Sequence, residues 1–270
     1  KVMMVDTPRN VGKGLKQADP EHKMLLGLPS GVRIYNRLQA EGECPLTVRE
    51  GRDFLERHYQ NIYRGYDVRN EDYSEREKAI EITEGYFRYE KDSPDVLNGL
   101  SLTVYKNEIL CILGGNGAGK TTTLKIMSGL QRLYRGNVRI WGKKIKEYSG
   151  NTLYRHNLAS LPQNPQTLFV KHKLRDDLLE VAKLMGYGRE EAAGKVGAVA
   201  AELAIEYLMD SHPFDLSGGE QQKAAFAKIL LMEPKIILLD EPTKGIDAYS
   251  KKVLADILYR LKAQGITIVM

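Results

Sequence analysis

The chain has 270 residues, of which 42% are hydrophobic and 28% charged, with a formal net charge of +5. That is the composition of a soluble globular chain of one or two domains. No apolar run approaches the roughly eighteen residues of a membrane-spanning helix, no basic tract demands nucleic acid, and neither cysteines nor histidines fall at metal-ligand spacing.

In chain order, "KVMMVD" reads as a short strand. "TPRNVGKGL" then offers a Thr cap with Pro at the first helical position. Residues 19–46 are rich in Pro and Gly and read as a connector with a short helix near "GVRIYNRLQ". A helix is expected over residues 47–65, opened by a Thr47/Glu50 capping box. Phe54, Leu55, His58, Tyr59, Ile62 and Tyr63 recur along it at helical spacing. Such a stripe suits a docking helix or an aromatic platform, but more ordinarily a linker helix laying its apolar side on a neighbour. Residues 67–78 are polar and are expected to be flexible.

From Ala79 the pattern changes. "IEITEGYFRY" and "LNGLSLTVY" alternate like antiparallel strands. "EILCIL" reads as an apolar strand, with Cys111 expected to be a buried thiol. It is followed by helix "TTTLKIMSGL" and strand "GNVRIWGKKI". Residues 172–210 are helical in pattern, and a further helix begins after Leu216. Strand "KIILLD", helix "SKKVLADILYRLKAQG" and strand "ITIVM" complete the alternation, which implies a parallel α/β sheet with an attached antiparallel layer. The sequence starts without Met and stops inside a strand, so a slice of a longer polypeptide is expected. The two widely separated cysteines, Cys44 and Cys111, fit a reducing compartment.

"GGNGAGKT", Gly114 to Thr121, matches G-x-x-x-x-G-K-[ST] between a strand and a helix. In such a loop the backbone N–H groups of Gly115, Asn116, Gly117, Ala118 and Gly119 converge on phosphate oxygens. Lys120 reaches the β- and γ-phosphates, the Thr121 hydroxyl can bind Mg²⁺, and Thr122 is placed to touch the α-phosphate. "KIILLDEP" would deliver Asp240 and Glu241 at the C-terminal edge of a buried strand, where α/β sites lie. Asp240 would hold Mg²⁺ through water, and Glu241 is the candidate base that orients the attacking water. Gln163, in "SLPQNPQTLF", can touch both Mg²⁺ and that water, although a Gln among prolines is also an ordinary loop residue. Tyr89 can stack on adenine or be a half-buried strand tyrosine. "LSGGEQQ", Leu216 to Gln222, reads as a second anion-binding helix start, capped by Ser217 and opened by Gly218 and Gly219.

The order and spacing of "GGNGAGKT", Gln163, "LSGGEQQ", "IILLDEP" and the "GID" at 245–247 resemble an ATP-binding cassette (ABC) nucleotide-binding domain over residues 79–270. The resemblance implies an α/β fold of the ABC P-loop NTPase type: a parallel sheet core, an antiparallel β layer and a helical subdomain, here preceded by a helical linker. It implies ATP and Mg²⁺, with Tyr89 as the adenine-stacking aromatic, Gln163 as the Q-loop residue and Asp247 in the loop that crosses the dimer interface. The family's switch histidine would follow Met270. Residues 1–18 look like the tail of a preceding cassette. Residues 19–78 look like the connector of a tandem ATPase from energy-coupling factor (ECF) importers, which take up vitamins or cobalt and nickel ions.

In that family two cassettes pair head to tail, and Ser217, Gly218 and Gly219 of one close over ATP held by the other. The implied partners are a second cassette, in the same or another chain, a transmembrane coupling subunit and a substrate-binding membrane subunit, with no nucleic acid. The implied location is the cytoplasmic face of the cell membrane. A non-transport ABC ATPase acting on ribosomes or DNA is the alternative. A cassette that binds ATP without hydrolysis is a third, and the intact Glu241 argues against it.

Overall fold

A computed structural model of the chain describes residues 6–19, 22–59 and 75–270. It divides into two units, residues 1–71 with 247–253, and residues 72–246 with 254–270.

The first unit contains α1 (Pro8–Ala18), α2 (Ser30–Arg37) and α3 (Val48–His58). Thr7 caps α1 by accepting from the Asn10 N–H, and Pro8 opens it, as its missing donor permits. Val32, Tyr35, Cys44 and Phe54 form a small core. Helices α2 and α3 approach through two glycines: a Cβ on Gly51 would lie 3.3 Å from the Gly31 Cα. The expected capping box is half made. Thr47 accepts from the Glu50 N–H at 3.1 Å, but the Glu50 carboxylate reaches past Thr47 to the Leu46 N–H at 2.7 Å. That bond, with Arg9 beside it, holds the Glu50 carboxyl below its usual range. Along α3, Phe54 is buried, Leu55 and Tyr59 are half-buried, and His58 is exposed with its ring stacked on Phe54. The expected continuation to residue 65, with Ile62 and Tyr63, lies outside the described residues. So do residues 1–5 of the strand expected over "KVMMVD" and residues 67–74 of the polar stretch.

The second unit is built on two sheets. Strands β1 (Lys78–Phe87), β2 (Leu97–Tyr105), β4 (Arg135–Ile140) and β5 (Lys143–Lys144) form an antiparallel sheet in the order β2-β1-β4-β5. Strands β3 (Ile109–Leu110), β6 (Leu158–Leu161), β7 (Ile236–Leu239) and β8 (Thr267–Val269) form a parallel sheet in the order β3-β8-β7-β6. Strand β7 has a neighbour on each side, and its four residues are all buried. This is why its sequence is a continuous apolar run, not an alternating one. Helix α4 (Lys120–Met127) adds Leu124 and Met127 to a core shared with Ile80, Ile82, Val104 and Ile140 of the antiparallel sheet and Leu158, Ile236, Leu238 and Val269 of the parallel one.

Helices α5 (Leu174–Leu184), α6 (Arg189–Leu203) and α7 (Gly218–Leu230) pack on one another, and α8 (Ala248–Ala263) leads to β8. Ala192, Val196, Ala200 and Leu203 of α6 are buried at helical spacing. A charged pair is enclosed here as well: Asp177 of α5 is fully buried, and its carboxylate lies 2.6 Å from the Lys228 ammonium of α7. Among the described residues no helix is long and apolar enough to cross a membrane.

Two local expectations are corrected, the single strand at 136–145 and the burial of Cys111. "GNVRIWGKKI" is a hairpin and not a single strand. Trp141 (φ +49°) and Gly142 (φ +74°) both take left-handed backbone between β4 and β5, as a two-residue turn requires. Trp is rare at such a position, which hides the turn. "EILCIL" runs parallel to β8 as expected: Ile109 and Leu110 are in register with Ile268 and Val269, and the Ile112 N–H donates to the Met270 carbonyl at 2.6 Å. Cys111, within that strand, is exposed. The buried thiol is Cys44.

Candidate functional site

The glycine loop runs from strand β3 to the first turn of α4. Residues 113–118 are exposed and Gly119 is buried. Gly117 and Gly119 have φ of +81° and +86°, the alternation that turns successive N–H groups to one side. At Gly119 the approach is also close, since a Cβ would lie 3.0 Å from Leu97 Cδ2 and 3.2 Å from the Val96 carbonyl. The Lys120 ammonium folds over the loop, donating to the Gly114 and Gly115 carbonyls at 2.8 and 2.9 Å.

Sheet register brings the remaining groups to this loop's end of the parallel sheet. Leu161 of β6 pairs with Leu239 of β7. Gln163 and Glu241 each lie two residues past that pair, and the Gln163 amide donates to Glu241 Oε2. Only the amide nitrogen can donate to a carboxylate, so the Gln163 carbonyl oxygen is left for a cation or water. One residue earlier, Asp240 accepts a hydrogen bond from the Thr121 hydroxyl at 3.0 Å. The Glu241 backbone has φ +46°, a left-handed conformation uncommon outside glycine and often found at functional sites. Its carboxyl is held below the usual carboxylate range, first by the Gln163 hydrogen bond and then by Lys244, 3.3 Å away.

Tyr89 is 56% exposed. Its hydroxyl shares a 3.0 Å hydrogen bond with the Thr122 hydroxyl, and its ring meets Phe87 edge-on. The tyrosine therefore stands beside the first turn of α4 with much of its ring open. Ser217 stands at the N-cap of α7, where Glu220 Oε2 reaches back to accept from the Ser217 N–H at 2.9 Å and from its hydroxyl at 2.6 Å. Those bonds hold the Glu220 carboxyl below its usual range. Ser217 and Gly218 are exposed, so the start of α7 opens to solvent. Asp247 caps α8 through the N–H groups of Tyr249 and Ser250.

The structure thus joins Thr121 to Asp240, Gln163 to Glu241 and Tyr89 to Thr122. The hydrogen bonds of Ser217 stay within its own helical turn. Sequence reasoning missed three neighbours: Lys244 beside Glu241, Tyr207 donating to Glu220 Oε1 at 2.9 Å, and Lys228 against Asp177. Only the Lys244 spacing from Glu241 had a local signal; the others depend on how separate helices are arranged.

The family profile described as ABC transporter matches residues 97–244. This chain belongs to the ABC transporter family. The chain is 33% identical over its full length to a provisionally named ABC transporter ATP-binding protein of Clostridium tetani, of which it spans 60%. Another such relative, from Bacillus cereus, is 33% identical over 90% of the chain, and the match spans 43% of that protein. The energy-coupling factor transporter ATP-binding protein EcfA of Methanocaldococcus jannaschii is 34% identical over 71% of the chain and 68% of its own length. Among solved structures, cbiO1 of Clostridium perfringens, part of the ABC transporter complex cbiONQ, is 28% identical with a TM-score of 0.62, over 72% of this chain and 77% of that one.

Proposed function

We propose that this cassette binds ATP with Mg²⁺ and hydrolyses it to power a membrane importer of the energy-coupling factor type. One observation carries the hydrolytic reading. A single end of the parallel sheet gathers a phosphate loop, the Thr121–Asp240 pair and a Gln163–Glu241 pair whose carboxylate stays ionised at neutral pH. The backbone of residues 115–119 and Lys120 would hold the β- and γ-phosphates, Thr122 the α-phosphate, and Tyr89 the adenine. The Thr121 hydroxyl, the Asp240 carboxylate and the Gln163 carbonyl are hard oxygen donors and fit Mg²⁺. Bound there, the ion would neutralise phosphate charge. Glu241 accepts a proton from water and aims it at the γ-phosphorus, while Gln163 fixes the carboxylate's direction.

The exposed start of α7 supports the second half of the reading. Ser217, Gly218 and Gly219 present helix N–H groups and positive helix-end potential to solvent, which suits the γ-phosphate of ATP held by another cassette. ATP then acts as the bridge between cassettes, and its hydrolysis loosens them. The energy-coupling factor assignment rests on the named relatives. The tandem arrangement, with residues 1–18 closing a preceding cassette and 19–78 connecting the two, rests on a relative that aligns along the whole chain and is longer than it. The partners would be that other cassette, a transmembrane coupling subunit and a substrate-binding membrane subunit, at the cytoplasmic face of the membrane.

The test is ATPase activity and nucleotide affinity of the parent protein. Glu241→Gln should keep ATP binding and lower turnover by roughly 10²–10⁴-fold, the usual worth of a general base. Lys120→Ala should abolish tight ATP binding. Near-normal turnover in the first variant, or unchanged affinity in the second, rejects the assigned roles.

A further inference from the structure

Tyr89 opens the loop of residues 88–96 between β1 and β2. An exposed aromatic on a surface loop has many conformations, and a stacking platform is useful only if few of them are populated. This loop is held by a closed set of side-chain bonds. Arg88 Nε donates to Asp95 Oδ1 at 3.0 Å, one terminal nitrogen donates to the Lys91 carbonyl at 2.9 Å, and the other donates to the Tyr134 hydroxyl at 3.0 Å. The Tyr134 hydroxyl in turn donates to the Asp95 carboxylate at 2.9 Å. The guanidinium carbon lies 4.6 Å from the Tyr134 ring centroid, within cation–π range. Arg88 and Asp95 side chains are 35% and 23% exposed, so the network is partly shielded from water. Ser93 closes the loop tip by donating its hydroxyl to the Glu90 carbonyl at 2.9 Å.

Where the network is anchored matters as much as its bonds. Tyr89 touches Thr122 in the first turn of α4, at the phosphate loop. Tyr134 lies beyond the far end of α4, and its N–H donates to the Tyr86 carbonyl of β1 at 3.2 Å. The Tyr89 loop is therefore tied to both ends of the segment that carries the phosphate-binding helix. We propose that Arg88, Asp95 and Tyr134 are positioning residues that set Tyr89 at a fixed distance and angle from the phosphate loop. The selectivity for a nucleotide over a bare polyphosphate then depends on three side chains that touch neither base nor phosphate. The proposal rests on the reading of residues 114–122 and Tyr89 as an ATP site.

The test compares ATP with inorganic tripolyphosphate, each competing with a fluorescent ATP analogue on the 270-residue chain. Aromatic–base stacking is worth about 1–3 kcal/mol. Loosening the platform by Asp95→Ala or Tyr134→Phe forfeits part of that stacking, not all of it, and should weaken ATP binding by roughly five- to twentyfold. Tripolyphosphate affinity should stay within about twofold, because the phosphate loop is untouched. Tyr89→Ala should give a loss of the same kind, and Asp95→Ala added to it should cause no further loss, since Asp95 acts through Tyr89. Unchanged ATP affinity in both triad variants overturns the proposal. So does an equal loss for both ligands, which marks general destabilisation, or a double-variant loss that multiplies. If wild type binds neither ligand, the ATP-site reading itself falls and takes this inference with it.

Discussion

Asp177 and Lys228 give the sharpest energetic prediction. The Asp177 carboxylate is fully buried, 2.6 Å from the Lys228 ammonium, whose side chain is 11% exposed. Asp177 also accepts from the N–H groups of Val170 and Lys171 at 3.1 and 3.2 Å, and Lys228 donates to the Leu168 carbonyl. The pair therefore fastens the segment that follows Gln163 onto α5 and α7. Asp177→Ala leaves a nearly buried ammonium and two backbone donors without their acceptor. Breaking a buried pair from one side typically costs about 3–5 kcal/mol. At roughly 2–4 °C per kcal/mol for a domain of this size, the melting midpoint should fall by about 6–20 °C. Asp177→Asn keeps an acceptor but not the charge and should fall between. Asp177→Leu with Lys228→Met removes both charges together and should recover most of the loss, because two desolvation penalties vanish with the attraction. Calorimetric melting of the four proteins decides the matter. Asp177→Ala within about 1 kcal/mol of wild type, or a double variant no better than Asp177→Ala, refutes the reasoning.

Other outcomes follow from the site. Gln163→Ala removes the main bond that keeps the Glu241 carboxyl low. The carboxyl should then titrate nearer its ordinary value, moving the acid limb of the turnover–pH profile to higher pH; an unmoved limb means that Gln163 does not set it. Gly119→Ala forces a Cβ onto left-handed backbone against Leu97 and Val96. A strain of about 1–2 kcal/mol should weaken ATP binding roughly five- to thirtyfold by titration, and wild-type affinity would show that the loop absorbs it. In a Glu241→Gln background, where ATP persists, light scattering should detect ATP-dependent association of cassettes. Ser217→Arg should abolish it, and association that survives the arginine would argue that the start of α7 does not face the shared nucleotide.

The sequence by itself determined what depends on neighbours along the chain. Glycine spacing gave the phosphate loop its left-handed positions at Gly117 and Gly119. Thr7, Thr47 and Ser217 announced the helix starts at which they stand, and the run at Ile236–Leu239 announced a strand buried on both faces. Each rests on local backbone sterics or on burial pattern, which a short window contains. Tertiary structure decided which of these features meet. Thr121 and Asp240 are separated by 119 positions, and Gln163 and Glu241 by 78. They come together because β7 lies between β6 and β8 and is registered so that Leu161 faces Leu239. The Asp177–Lys228 pair and the Arg88–Asp95–Tyr134 network had no signature in spacing at all. Their energy comes from desolvation and mutual distance, which exist only once separate elements have been packed.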